Sequence, residues 1–266
     1  MSDELHSNLQ TEQWRKLLCD GHLGRKYVTH IMRLLPGPPR CKGCNNPFGG
    51  IGGALCRSIG MVPSKKNPRL CTLCCEKMPL GGAEVEVVIL FADVRGSTEL
   101  AERLGPEKFA ATLNRFYNTA TDILIRRDAT VDKLIGDEVM AFFVPGFAGP
   151  NFRNVAIDCA ITLLRTLGYG GKEEPWLPVG IGIDSGIAFV GNVGNDHYLD
   201  FTALGDPVNT AARIQAAAGP GQLLVSARTL SRTHIPYSGL IPQSLTVKGK
   251  KETVEVYALP ITQTRG

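Results

Sequence analysis

The chain has 266 residues, 43% of them hydrophobic and 20% charged, and a formal charge of +4. That length and apolar content support a sizeable core in one domain or two, which excludes global disorder. The longest apolar stretch, residues 85–92 with Glu86 inside it, is too short to span a bilayer, and the polar start MSDELHSNLQ is unlike a secretory leader. A cytoplasmic protein without a membrane partner is expected. Residues 1–80 carry 12 Lys/Arg against 5 Asp/Glu, whereas residues 81–266 carry 17 against 20. A basic front and a mildly acidic back imply two units.

In chain order, Trp14, Leu17, Leu18, Val28, Ile31, Met32 and Leu35 form a helical stripe over residues 14–35, weakened by Gly21 and Gly24. Pro36-Gly37-Pro38-Pro39 ends it. Residues 40–79 are rich in Gly, Pro, Asn and Cys and need something besides a core to order them. Residues 80–83, Leu-Gly-Gly-Ala, read as a hinge. A buried strand is predicted over 86–93. Phe109, Leu113, Phe116, Ala120 and Ile123 then mark an amphipathic helix. Strands at 130–134 and 139–143 flank a Gly136-Asp137 turn. A second helix covers 155–167, and a second hairpin joins 179–184 to 187–193 around Ser185-Gly186. Asp206-Pro207 opens a third helix, with an N-cap Asp and a first-turn Pro. Strands at 223–226 and 254–259 follow. This order predicts an α+β fold, a sheet with helices on one face.

Two carboxylates stand out. In Phe91-Ala-Asp-Val-Arg-Gly-Ser-Thr98, Asp93 closes a strand and a Gly turn leads into a helix, which sets free backbone N–H groups beside an acid. Asp137 lies in the next hairpin turn, within Lys133-Leu-Ile-Gly-Asp-Glu138. Carboxylates on adjacent strands can hold two divalent ions and, through them, a triphosphate. Taken alone, an Asp at a strand end is more often turn or cap chemistry.

Together, FADVRGST, KLIGDE, VGIGIDSGIAFVGNVG and ALGDPVNTAARIQ resemble, in order, the signatures of the class III nucleotidyl cyclase catalytic domain. The resemblance spans residues 84–259. It implies a ferredoxin-like, antiparallel-dominated domain over 84–260 that works as a homodimer, preceded by a helical segment at 1–39 and a Cys-rich region at 40–79. It implies the conversion of a nucleoside triphosphate to its 3′,5′-cyclic monophosphate and pyrophosphate. Asp93 and Asp137 match the ligands of two Mg²⁺ or Mn²⁺ ions, and Gly96, Ser97 and Thr98 the phosphate turn. Lys133 matches the base-reading lysine. Asn209 and Arg213, at i, i+4 on one helix face, match the pair that orients ribose and stabilises charge on the α-phosphate. Lys248 looks like the lysine that grips the terminal phosphates. Thr202 stands where many adenylyl cyclases carry Asp, and a Lys–Thr pair resembles the class IIIb branch, so ATP is the expected substrate and cyclic AMP the product. Asp200, two residues away, is the alternative for that position. A guanylyl cyclase, and a silent cyclase-fold binding protein, are the competing readings.

Cys41-Lys-Gly-Cys44 and Cys71-Thr-Leu-Cys74 form a CxxC…CxxC frame able to converge four thiolates on one metal. Zinc is the default; Cys56 and Cys75 leave room for an iron–sulfur cluster or a redox thiol. Cys19 and Cys159 read as small buried apolar residues. The five histidines show no convincing spacing with the cysteines. The front's sparse aromatics make nucleic-acid binding unfavoured against a regulatory metal-binding region.

Overall fold

The structure, a computed structural model, describes residues 2–21, 31–32, 34–42, 44–75, 78, 80–195, 199–237, 239–246 and 253–261. Among the described residues, no helix is long and apolar enough to cross a membrane.

The framework is an eight-stranded sheet of order β2-β3-β1-β4-β6-β8-β7, with β5 also paired to β4. β1 (Gly81–Val94) and β4 (Val179–Gly194) are antiparallel along their whole length. β2 (Thr130–Ile135) and β3 (Glu138–Phe143) form the hairpin expected around Gly136-Asp137. The free edge of β4 takes two partners: β6 (Leu223–Ser226), in parallel, at its start and β5 (Leu199–Leu204), antiparallel, at its end. β8 (Val254–Leu259) and β7 (Pro242–Leu245) finish that side.

Alternation along β1 separates two cores. Val88, Leu90, Ala92 and Val94 face one side, where α5 (Pro106–Arg126) contributes Phe116, Ala120 and Leu124. There α7 (Phe152–Thr166) adds Ala156, Ala160 and Leu163, and Cys159 is buried among them as expected. Val85, Val87, Ile89 and Phe91 face the other side, against α1 (Ser2–Asp20), the cysteine region and Ala211 of α8 (Asp206–Ala217). Trp14 of α1 stacks on Phe201 with ring centroids 5.8 Å apart, and Phe142 meets the same ring edge-on at 5.7 Å. The basic front is therefore packed onto the sheet.

Several sequence expectations change. The first helix begins at Ser2 and stops at Asp20, where Gly21 turns left-handed; Val28 lies outside the described residues, and Ile31 is exposed. Gly81 and Gly82 open β1 and form no hinge: a Cβ at Gly82 would lie 2.4 Å from the Val190 carbonyl oxygen, so glycine is what lets β4 approach. The second hairpin is one continuous strand, β4, whose hairpin partner is β5; Ser185 and Gly186 pair with Val88 and Val87. The cysteine region contains α2 (Gly50–Ser58) and α3 (Thr72–Cys75), held by a short bridge between Pro63 and Cys71. Cys19 is half-buried and lines a cavity of about 440 Å³ with Lys42 and with Phe147 of the short helix α6 (Pro145–Ala148). Cys56 and Cys75 are buried.

Candidate active site

Strand pairing brings the two acids of the sequence motifs to one end of the sheet. Asp93 lies opposite Glu138, and the Val94 N–H donates to the Asp137 carbonyl at 3.3 Å. Arg95 forms an ion pair with Asp93, while its buried Nε has no partner among the described residues. Burial first, and then the Asp137 charge, push the Glu138 carboxyl above its usual range. Gly96 is left-handed (φ 65°) and caps α4 (Ser97–Leu104), so Ser97 and Thr98 open a helix whose first N–H groups lie one turn from Asp93. Two acids at one end of the sheet beside a helix start are hard oxygen donors of the kind that suit a divalent cation, with Asp93 held by Arg95 within one copy.

A second cluster lies between β2 and β5. The register shifts between Val131 and Lys133, which lets the consecutive side chains of Asp132 and Lys133 reach one neighbourhood. Thr202 and Asp200, two apart on β5, share a face. Lys133 Nζ donates to Thr202 Oγ1 at 2.9 Å and to Asp132 Oδ1 at 2.9 Å, and pairs with Asp200 Oδ2 at 2.7 Å. The Thr202 hydroxyl donates to Asp132 Oδ2 at 2.7 Å. Burial opposes the Lys133 charge, but the hydrogen bonds to Asp200 and Asp132 outweigh it and leave the ammonium above the usual lysine value. Asp200 is the mirror case, since Lys133 and Lys66 overcome burial and hold its carboxyl low. Lys133, Thr202 and Asp200 thus all meet in one site. Asp132 and Lys66 were not legible in the motifs.

Asn209 and Arg213 sit on α8, opened by Pro207 at its first turn. Asn209 is exposed and Arg213 half-buried; among the described residues neither side chain has a hydrogen-bond or ion-pair partner. The structure does not join them to Asp93 or Asp137 within one copy. Lys248 lies outside the described residues.

The four cysteines of the CxxC frame converge, with their sulfurs all within 4.8 Å of one another and all four residues buried. Cys44 and Cys71 Sγ are 3.6 Å apart, beyond disulfide length and close to the roughly 3.8 Å edge of a tetrahedron with 2.3 Å metal–sulfur bonds. The Cys71 N–H donates to Cys41 Sγ at 3.2 Å, and the neighbouring thiols drive Cys41 toward thiolate. This donor set fits Zn²⁺ or an iron–sulfur cluster.

Comparison with known proteins gives the family. Residues 83–260 match the adenylate and guanylate cyclase catalytic domain. The chain belongs to this cyclase family. An uncharacterized protein of Mycobacterium tuberculosis is 34% identical over 158 residues, 58% of this chain and 27% of that protein, so the match spans only about a quarter of such relatives. The adenylyl cyclase CyaB from P. aeruginosa is 28% identical with a TM-score of 0.58, over 68% of this chain and 96% of that one. The guanylyl cyclase Cya2 is 27% identical with a TM-score of 0.60, over 67% and 93%. Cyclases of both specificities therefore share this cyclase domain's fold, and the base it takes rests on the chemistry of its own side chains.

Proposed function

We propose that the chain is an adenylyl cyclase that converts ATP to 3′,5′-cyclic AMP and pyrophosphate in sites shared by two copies of itself. The observation that carries the adenine assignment is the Lys133–Thr202 contact at 2.9 Å. Adenine offers an acceptor, N1, and a donor, the exocyclic amine; the Lys133 ammonium, whose three N–H groups face Thr202, Asp132 and Asp200, supplies the donor by turning one of them from Asp132, and Thr202 Oγ1 is the acceptor. The Thr202 proton is committed to Asp132, which leaves its oxygen to accept. Guanine presents the adjacent donors N1–H and N2–H, which suit a carboxylate, and both carboxylates here are engaged by lysines.

In the reaction the O3′–Pα bond forms, the bond from Pα to the bridging oxygen breaks, pyrophosphate departs and the 3′ proton passes to solvent. Asp93 and Asp137 would hold two Mg²⁺ or Mn²⁺ ions, which would supply Lewis acidity toward the 3′-hydroxyl and charge neutralisation at the triphosphate. The turn at Gly96, Ser97 and Thr98 receives phosphate oxygens. Asn209 orients the ribose and Arg213 stabilises charge on the α-phosphate. That neither side chain has a partner among the described residues of one copy supports their serving a cleft formed with a second copy, a C₂ arrangement with two equivalent sites. Lys248 is assigned to the terminal phosphates on the resemblance alone.

In this reading residues 84–260 are the catalytic unit, 40–79 a metal-binding regulatory region using Cys41, Cys44, Cys71 and Cys74, and 1–39 a helical segment. Reduced thiols and ATP fit a cytoplasmic setting. Asp93→Ala tests the assignment: cyclic AMP formation should disappear while the sedimentation coefficient stays that of the wild-type dimer. Undiminished turnover would remove Asp93 from the metal site.

A further inference from the structure

The base-reading cluster contains a residue from outside the catalytic unit. Lys66, from the loop between the two CxxC pairs, places its ammonium on Asp200 Oδ1, on the Phe201 carbonyl at 2.8 Å, and 3.7 Å from Asp132 Oδ1. Asp200 is thereby bridged, one oxygen to Lys66 and the other to Lys133. Asp132 is fully buried, whereas the Asp200 side chain keeps 19% exposure, so Asp200 is the carboxylate of this site open to a ligand.

Lys66 is rigidly mounted. Ser64 N–H donates to the Leu70 carbonyl and Thr72 N–H to the Val62 carbonyl, both at 2.9 Å, which closes a tight loop. At its tip the Lys66 carbonyl accepts from Val131 N–H at 3.0 Å, beside the bulge in β2. Asn67, Leu70 and Cys71 are fully buried behind it. The loop thus runs directly from the four-cysteine site to the base-reading strand.

We propose that Lys66 is a positioning residue that sets nucleobase preference through Asp200; this rests on the adenylyl cyclase reading above. With Lys66 present, the two carboxylates face two ammoniums, and each Asp200 oxygen is already held by a lysine, so guanine N1–H meets a charge-balanced, tethered carboxylate. Without it, Asp200 Oδ1 is released to accept from guanine, and the unbalanced carboxylates draw Lys133 away from adenine N1. Both effects move preference in the same direction.

The test uses the full chain with Lys66→Met, which keeps the length of the stem, and Lys66→Arg, which keeps the charge. Binding is measured by calorimetry with 3′-deoxy-ATP and 3′-deoxy-GTP, which lack the attacking hydroxyl, and turnover with ATP and GTP. Lys66→Met should lower the adenine-over-guanine ratio by about tenfold or more, the worth of one charge-assisted hydrogen bond, in binding and in kcat/KM. Lys66→Arg should restore it, and in an Asp200→Asn background Lys66→Met should have no further effect. An unchanged ratio in Lys66→Met, or equal effects in both backgrounds, overturns the proposal. If the wild type binds both analogues but forms no cyclic nucleotide, the cyclase reading fails while the binding ratio still decides on Lys66. Binding of neither analogue overturns both.

Discussion

Gly182 shows how tightly packing and chemistry are joined in this domain. It lies on β4 between Phe91 of β1 and Leu224 of β6, directly beneath α8. A Cβ there would sit 2.2 Å from the Gln215 nitrogen, 2.5 Å from Gln215 Cα and 2.7 Å from the Ala211 carbonyl oxygen. All three atoms are backbone, so no rotamer change relieves the overlap. Restoring ordinary contact at 3.4 Å or more moves the helix by about 1 Å, and overpacking of this kind costs about 1–3 kcal/mol. At roughly 2–4 °C per kcal/mol for a domain of this size, Gly182→Ala should lower Tm by about 2–12 °C. The same shift displaces Asn209 and Arg213, and a 1 Å misplacement of such groups costs on the order of 10²-fold in turnover. Gly219→Ala is the control, because its Cβ would meet only Gln222 Oε1 at 3.8 Å. Thermal denaturation and cyclic-nucleotide formation on both variants form the assay. A Gly182→Ala protein with wild-type Tm and turnover would refute the idea that backbone contact with β4 positions α8.

Further outcomes follow from other parts of the molecule. Arg213→Ala should reduce turnover by about 10²–10³-fold. Mixing it with Asp93→Ala should restore about a quarter of wild-type activity, because half of randomly mixed dimers are mixed and each holds one complete site; no recovery contradicts the shared site. The fully buried Asp184 carboxylate is held by Arg228 and Ser226, so Arg228→Ala should cost about 3 kcal/mol in urea denaturation, and a change below 1 kcal/mol contradicts that role. Burial pushes the Cys159 thiol up to about 12. Because the unfolded thiol ionises near 8.5, its contribution to stability is full below that pH and is lost as pH rises toward about 12. Cys159→Ala should flatten this alkaline loss; an unaltered pH profile of Tm contradicts it. Chelation should remove one metal equivalent per chain and lower Tm, and Cys71→Ser should bind none; full metal content in that variant excludes Cys71 as a ligand.

Local chemistry explains what could be read from the sequence. The strands at 223–226 and 254–259, the hairpin around Gly136-Asp137 and the cysteine quartet declare themselves through apolar runs, turn residues and ligand spacing. Ser185-Gly186 misleads because its glycine serves another purpose. A Cβ at Gly186 would lie 2.9 Å from the Pro207 ring, so Gly186 admits α8 and turns nothing. Gly82 misreads as part of a hinge for the same reason, while Gly81 beside it is glycine for its backbone φ of 113°. Thr202 and Lys133 are found by motif, but Asp200 belongs beside Thr202 because residues two apart on a strand share a face, a signal present in the sequence. Asp132 joins them through a bulge, and Lys66 through a pairing 134 residues apart in sequence. Neither has a local signature: the bulge exists only in the pairing of β2 with β3, and Lys66 arrives only when the cysteine region docks.

If the Lys133–Thr202 cluster reads the base of ATP, the choice shows in the products when the purified 266-residue chain is given equimolar ATP and GTP in one reaction with Mn²⁺. 3′,5′-Cyclic AMP and pyrophosphate should form in equal amounts, with cyclic GMP a minor product. Predominant cyclic GMP, or no cyclic nucleotide from a folded dimer, would contradict the ATP assignment.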